Sequence, residues 1–308
     1  MADIETRTAS ARPGAAAEAI TTEQRSELGL ALRRFVRHRL AVASLVVFVL
    51  VVAFAFLGPM VWPYDHTVTR GVPSSVGPSW DHPFGTTTAG QDVMGQVMRG
   101  TQQSLKVALT VAVLSTTFGA LWGAIAGLYR GWADNLMMRI VDVILVVPLL
   151  VLVTAVAGNV RGGTTWWAVA LVIAAFIWTG TSRVVRGVVL SLREQEFIEA
   201  SRAMGSTDAR IILRHLIPNA AGPIIVAGTL AVAFAILAEA ALSFLGFGIQ
   251  PPDTSLGLLI ETARTAPFTR PWLFYPPGVF IILICLTINF IGDGLRDALD
   301  PRQTMVRR

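Results

Sequence analysis

Apolar positions in this chain gather into long runs separated by polar, arginine-bearing stretches. That pattern predicts helices that cross a bilayer, because about 30 Å of hydrocarbon takes roughly twenty helical residues. Six runs come near that length, over residues 40–61, 105–128, 140–157, 166–181, 220–244 and 278–291. The first follows a long arginine-bearing leader and is too long for a signal-peptide core, so it reads as an uncleaved span. Ahead of it, residues 1–20 show no periodicity. From Thr22, Leu28, Leu32 and Phe35 recur near helical spacing with Arg33, Arg34, Arg37 and Arg39 on other faces, as in a helix lying on a membrane surface.

Between the first two runs, residues 62–103 are polar and carry Pro63, Pro73, Pro78 and Pro83. Without an apolar run of its own, this segment is expected outside the membrane. In the second run Gly119, Gly123 and Gly127 step by four, a small-residue ridge suited to close helix packing within the bundle. Pro148 interrupts the third run and is expected to kink it.

Composition narrows the class. Of 308 residues, 53% are hydrophobic and only 15% charged, which excludes a soluble globule. The formal net charge of +5 comes from arginine, since Lys106 is the only lysine. Those arginines flank apolar runs, so they mark topology and not a nucleic-acid surface. With six spans and a cytoplasmic N-terminus, the seven arginines before Leu40, then Arg130, Arg139, the six from Arg183 to Arg214, Arg296, Arg302, Arg307 and Arg308 all face the inside. Both termini and the 196–219 segment are then cytoplasmic. The single cysteine, Cys285, excludes an internal disulfide.

The segment EFIEASRAMGSTDARIILRHLIPN, residues 196–219, is the most polar interruption among the later runs. It reads as two short helices broken at Gly205, the first able to gather Ile198, Ala203 and Met204 on an apolar side against Glu196, Glu199 and Arg202. The second is capped by Ser206, Thr207 and Asp208 and striped by Ile211, Ile212 and Leu216 as far as Pro218. Glu199-Ala200-Ser201, then Gly205, then Ile217-Pro218 resembles the signature loop of bacterial ABC-importer permeases, with Ser201 at a position where alanine is usual. The resemblance implies a coupling helix docked on a cytoplasmic ATPase, with Glu196, Glu199, Ala200, Ser201, Arg202, Gly205, Asp208 and Arg210 as its site residues. Read from its residues alone, the segment also fits an ordinary amphipathic loop.

Three further stretches are similar to the oligopeptide and dipeptide permeases, and to their C-type subunit in particular. HPFGTTTAGQDVMGQVMRGTQQSL at 82–105 departs from that pattern at Thr87 and Gln91, where a paired aspartate and arginine are usual. EAALSFLGFGIQPPDTSLG at 239–257 and NFIGDGLRDALDPR at 289–302 follow it closely. The resemblance implies an all-α integral membrane protein with six transmembrane helices in the type I ABC importer permease fold. Its organisation would be a cytoplasmic tail and interfacial helix (1–39), a first span (40–61), an extracytoplasmic loop (62–103), a permease core (104–302) with the coupling loop at 196–218, and a short cytoplasmic tail (303–308).

It further implies a bacterial plasma-membrane location and four kinds of partner: a homologous B-type permease, two ABC ATPases that bind ATP and magnesium, an extracytoplasmic peptide-binding lipoprotein, and the peptide itself. Nickel, glutathione or another small solute on the same scaffold is the neighbouring alternative. An ion-driven transporter without ATPase is the alternative of a different class.

Intramembrane polar residues are the remaining candidates. Glu239, Ser243 and Asn289 are taken as candidates for the translocation path. For Glu239 a buried structural hydrogen bond is an equal reading, and for Asn289 helix-to-helix contact is the plainer one. Asp142 is expected to pair with Arg139 one turn away. The one lysine follows Leu105, outside any Gly-Lys-Ser/Thr loop, so the chain lacks a nucleotide site of that kind. His38, His66, His82 and His215 lack metal-ligand spacing, and no Gly-x-Ser-x-Gly elbow occurs. No catalytic, cofactor or metal residues are therefore assigned, and the chain is expected to be non-catalytic.

Overall fold

A computed structural model describes residues 27–69, 71–148, 151 and 165–299, and these form an all-helical bundle. A surface helix, α1 (Glu27–Arg37), leads into α2 (Arg39–Val61), whose first turn is capped by His38 Nδ1 accepting the Ala41 N–H at 3.1 Å. Thr22, the expected start of the surface helix, lies outside the described residues. Leu32 and Val36 of α1 are exposed, whereas Phe35 is buried with Ala41 and Ala298, so one edge of α1 is held to the bundle and another is free.

Helix α3 (Val93–Tyr129) is the longest element, 37 residues and about 55 Å at 1.5 Å per residue. It starts well before the apolar run, because Asp92 caps it by accepting the Gly95 N–H at 2.7 Å. Residues 93–103 of the expected outer loop are therefore helical. The rest of that loop is tied to the same aspartate, which accepts from the Trp62 indole at 2.9 Å and from His82 Nδ1 at 2.8 Å. Thr87 and Gln91, the two departures from the permease pattern, bond each other through backbone and hydroxyl at 2.9 and 3.0 Å. The neutral pair keeps the turn closed.

Past α3 the chain reverses at Arg130 and Gly131, both at positive φ, into α4 (Gly131–Val146). The helix stops before Val147-Pro148, so the proline terminates it where a kink was expected. The remainder of the expected third span falls largely outside the described residues. Helix α5 (Trp166–Leu192) follows, then the short helices α6 (Glu196–Ala203) and α7 (Asp208–Ile211). A π-helical turn (Ile212–Leu216) and α8 (Ile217–Asn219) lead into α9 (Ala221–Phe244), α10 (Leu256–Thr262) and α11 (Pro271–Leu299).

Among the described residues five helices are long and apolar enough to span a bilayer: α2, α3, α5, α9 and α11. The third of the six expected spans, 140–157, lies in part outside the described residues; within them its start belongs to helix α4, which ends after 16 residues ahead of Pro148.

Packing centres on α3. The glycine ridge lies against α5, where a Cβ on Gly119 would sit 2.5 Å from the Trp178 carbonyl oxygen and one on Gly127 would sit 2.8 Å from Val189 Cγ1. The small residues thus serve contact within the chain, as the spacing predicts. One apolar core joins α2, α3, α5, α9, α10 and α11. A second joins Ala120, Ala124 and Leu128 of α3 with Val185 and Val189 of α5 and with Ile198, Ile211, Ile212 and Leu216.

Candidate functional site

That second core fixes the 196–218 segment to the bundle. Ile198 and Ser201 turn inward from α6, and Ile211 and Leu216 turn inward from the helix that follows. Glu196, Glu199, Ala200, Arg202, Gly205, Asp208 and Arg210 all face outward. Seven of the eight expected site residues thus share one exposed surface, and Ser201 lies beneath it with an unpartnered hydroxyl.

The break between the two helices is a glycine turn. Gly205 has φ +81, its N–H bonds the Arg202 carbonyl at 2.9 Å, and the Ser206 N–H bonds the Ser201 carbonyl at 3.1 Å. This crossed pair closes the helix and requires a left-handed residue, which glycine supplies without a Cβ clash. Thr207 then caps the next helix, accepting the Arg210 N–H at 3.4 Å.

Of the apolar side expected for the first helix only Ile198 is buried, Ala203 and Met204 being exposed, and residues that the sequence did not single out, Phe197 and Leu213 among them, also shape this surface. Phe197, Met204 and Leu213 are exposed, Met204 to 80%. Arg193, at the joint between α5 and α6, turns inward to donate to the Leu128 carbonyl at 2.7 Å and the Gly127 carbonyl at 3.4 Å. Its neighbour Glu194 accepts from Arg130 at 3.0 Å. From sequence these arginines showed only as topology markers.

Two of the three path candidates, Glu239 and Ser243, sit toward the opposite end of α3. Glu239 is 1% exposed, and its carboxylate accepts from the Ser104 hydroxyl at 3.0 Å and from the Ser243 hydroxyl at 2.7 Å. Ser104 Oγ in turn accepts the Leu256 N–H at 3.3 Å, and Ser255 lies 3.3 Å from Ser243. One buried carboxylate thus joins α3, α9 and the start of α10. Nearby, Arg99 grips Asp253 with two bonds of 2.8 and 3.0 Å, and Gln103 also donates to Asp253. Asn289 is half-buried on α11 and belongs to neither set.

A groove of about 660 Å³ opens between α5, α9 and α11, with Gly180, Thr181, Ala227 and Phe234 in its walls and Arg296 at one end. A second, smaller cavity of about 290 Å³ lies at the outer loops beside Thr87, Gln91 and Asp253. Neither is lined by Glu239, Ser243 or Asn289.

Past the C-terminal end of α3, α4 is held to α5 by ion pairs. Asp134 takes two bonds of 2.6 Å from Arg186, and Asp142 takes one of 2.6 Å from Arg183. Arg139, the expected partner of Asp142, is 4.0 Å away. The expected local pair is therefore present, and Arg183 from the facing helix adds a closer one. Among the described residues no group of three or more His, Cys, Asp or Glu could hold a metal ion.

Residues 119–305 match the binding-protein-dependent transport system inner membrane components, and residues 26–73 match the N-terminal transmembrane domain of oligopeptide transport permease C. The chain belongs to the first of these families. Among curated relatives, this permease is 44% identical over 287 residues to the oligopeptide transport system permease protein OppC of Mycobacterium tuberculosis, covering 93% of this chain and 99% of that one. It is 37% identical over 287 residues to the protein of the same name from Bacillus subtilis, covering 93% of each chain. A putative peptide permease protein of Brucella suis is 41% identical over 271 residues, 87% of this chain and 89% of the relative.

Among solved structures, an inward-facing form of the MetNI methionine ABC transporter aligns with TM-score 0.57 and 20% identity, over 67% of this chain and 97% of that one. The permease therefore has the type I ABC importer fold and is a multi-pass inner-membrane protein.

Proposed function

We propose that this permease imports oligopeptides or dipeptides as one of two homologous membrane subunits, driven by two cytoplasmic ATPases and fed by an extracytoplasmic peptide-binding lipoprotein. The observation that carries the coupling part is the 196–218 segment. Its inward side is anchored beneath α3 and α5, while its outward side presents Glu196, Glu199, Ala200, Arg202, Gly205, Asp208 and Arg210 together with exposed Met204 and Phe197. An exposed apolar surface rimmed by charge suits a protein partner. On this reading Gly205 supplies the turn, Ala200 allows close docking and Glu199 pairs across the interface. ATP and magnesium are bound by the partners.

The names of the relatives support a peptide as the substrate. For this chain's half of the path we favour the groove between α5, α9 and α11, whose volume suits a small peptide. Glu239 and Ser243 then serve to join helices. The arginine distribution supports cytoplasmic termini.

The test is Gly205→Pro in the assembled importer. Proline cannot adopt φ +81 and lacks the N–H that bonds Arg202, so the turn must open. Peptide uptake is expected to fall while membrane abundance holds. Uptake at the wild-type level with equal abundance would sink the coupling assignment. Pull-down from native membranes should recover two P-loop ATPases, a second permease and a lipoprotein. Peptide eluted from that lipoprotein supports the substrate class, and nickel or glutathione eluted instead replaces it. Uptake insensitive to ATP depletion but abolished by an uncoupler would favour an ion-driven transporter.

A further inference from the structure

Helix α6 begins only three residues after α5 ends, so any displacement of α6 is felt first at Arg193, Glu194 and Gln195. The Arg193 side chain is 16% exposed and covers the carbonyl end of α3, donating to Leu128 and Gly127. Those carbonyls have no partner within the helix and stand at the negative end of its dipole, where a cation is favoured. Glu194 lies between Arg193, at 3.3 Å, and Arg130, at 3.0 Å. The joint is thus closed by three alternating charges at the point where α3 turns into α4.

From this joint α3 runs 37 residues without a proline. Its inner half is packed on α5 through Gly119, Gly123 and Gly127, which prevents independent bending there. Its outer end is bonded to α9 and α10 through Ser104 and Glu239, and to the loop before α10 through Arg99 and Asp253. The molecule therefore contains one stiff element fixed at both ends by buried polar groups, and its inner fixing lies beside the coupling helix.

We infer that Arg193 is a positioning residue for transport: by holding the α5–α6 joint to the end of α3, it makes displacement of the coupling helix a displacement of α3, and so of the outer Glu239 junction. This inference rests on the coupling reading of residues 196–218. A cap that merely stabilised α3 would affect folding. A cap that transmits displacement affects the ratio of transport to ATP hydrolysis.

The experiment uses the complete importer in proteoliposomes with its binding protein, comparing wild type, Arg193→Ala, Arg193→Lys and Gly205→Pro. Membrane abundance, retention of the ATPases, melting temperature, ATP hydrolysis and peptide uptake are read together. Arg193→Ala is expected to lower uptake per ATP hydrolysed about tenfold, the scale of losing hydrogen bonds from a charged donor. Arg193→Lys, which keeps a charge and a donor, should recover most of that ratio.

Uptake per ATP within twofold of wild type in Arg193→Ala overturns the inference. So does a loss of uptake that merely follows a loss of folded protein and leaves the ratio intact. If Gly205→Pro uncouples transport and Arg193→Ala does not, the coupling reading stands and this inference falls. If neither uncouples, the coupling reading itself fails.

Should Arg193→Ala yield no protein, the joint is tested in a Cys285→Ser background with cysteines at Arg130 and Glu194 joined by a reducible bifunctional thiol reagent. A joint that moves as one unit retains uptake when linked. Loss of uptake on linking, restored by reduction, overturns the inference.

Discussion

Replacing Glu239 by leucine separates a carboxylate that holds helices together from one that serves the passing substrate. Leucine matches the apolar surroundings but removes the acceptor for Ser104 and Ser243, whose hydroxyls are both buried. An orphaned buried hydroxyl costs roughly 1–3 kcal/mol. Two things reduce that figure here. A serine in a helix is able to turn to the carbonyl four residues back, and interhelical hydrogen bonds in membranes average only about 0.6 kcal/mol, with a maximum near 1.7. The sum for Glu239→Leu is therefore about 2–3 kcal/mol. Glutamine keeps one acceptor oxygen, and its amide faces a hydroxyl oxygen able to accept, so Glu239→Gln should cost under about 1 kcal/mol.

Each kcal/mol moves the melting point of a chain near this size by roughly 2–4 °C. The leucine variant is expected to melt roughly 4–12 °C lower in detergent, and the glutamine variant within roughly 4 °C of wild type. Peptide uptake measured on the same membranes should follow the folded fraction. A Glu239→Gln protein that melts normally but transports nothing would refute this account, because transport would then need the charge. A leucine variant that melts with wild type would refute it from the other side.

Two further substitutions probe packing at named contacts. A Cβ at Gly123 would run into the Ser182 carbonyl oxygen and lie 2.9 Å from the Arg186 nitrogen, both backbone atoms that move only if the α3–α5 seam opens. Gly123→Ala should therefore cost about 1–3 kcal/mol, while Gly180→Ala, which meets nothing within 4 Å, should leave the melting point unchanged or raised; equal melting of the two would refute the seam. Ser201→Ala removes a buried hydroxyl without a partner, so stability should hold or rise by up to about 1 kcal/mol. A clear fall in melting temperature or uptake would show that the hydroxyl has work in the assembled importer.

Hydropathy located the membrane helices but not their full lengths. Helix α3 extends outward past its apolar run because Arg99, Gln102 and Gln103 find partners in Asp253 and in the Ala55 carbonyl. A window average treats those side chains as reasons to leave the helix. Helix α5 likewise continues to Leu192 through Arg183 and Arg186, which are paired with α4. The break at Gly205 was legible because glycine followed by a capping threonine is a local instruction. Glu239 stood between two readings because Ser243, its near partner, shares its helix, while the partner that decides the matter, Ser104, lies on another helix far off in sequence. Arg193 was missed for a related reason: its acceptors are backbone carbonyls, which every sequence has and none advertises.

The placement of polar contacts along α3 bears on where this protein changes shape. Near the outer end, Arg99, Gln103, Ser104, Glu239, Ser243 and Asp253 make bonds that cross between elements, Ser243 through Ser255. Near the inner end, Arg130, Asp134, Arg183, Arg186, Arg193 and Glu194 do the same. Between these ends the α3–α5 seam sets Gly119 and Gly123 against backbone, Gly127 against Val189, and Phe118 and Trp122 against Trp178, and among the described residues no side-chain hydrogen bond joins the two helices there. Close apolar contact of that kind has one good register and no second set of partners, so it resists sliding. Charged and hydroxyl groups at the ends, satisfied in a low-dielectric setting, tie the neighbouring elements to α3. The seam therefore carries displacement unchanged between the two ends, and the change of shape falls on the elements that those ends hold.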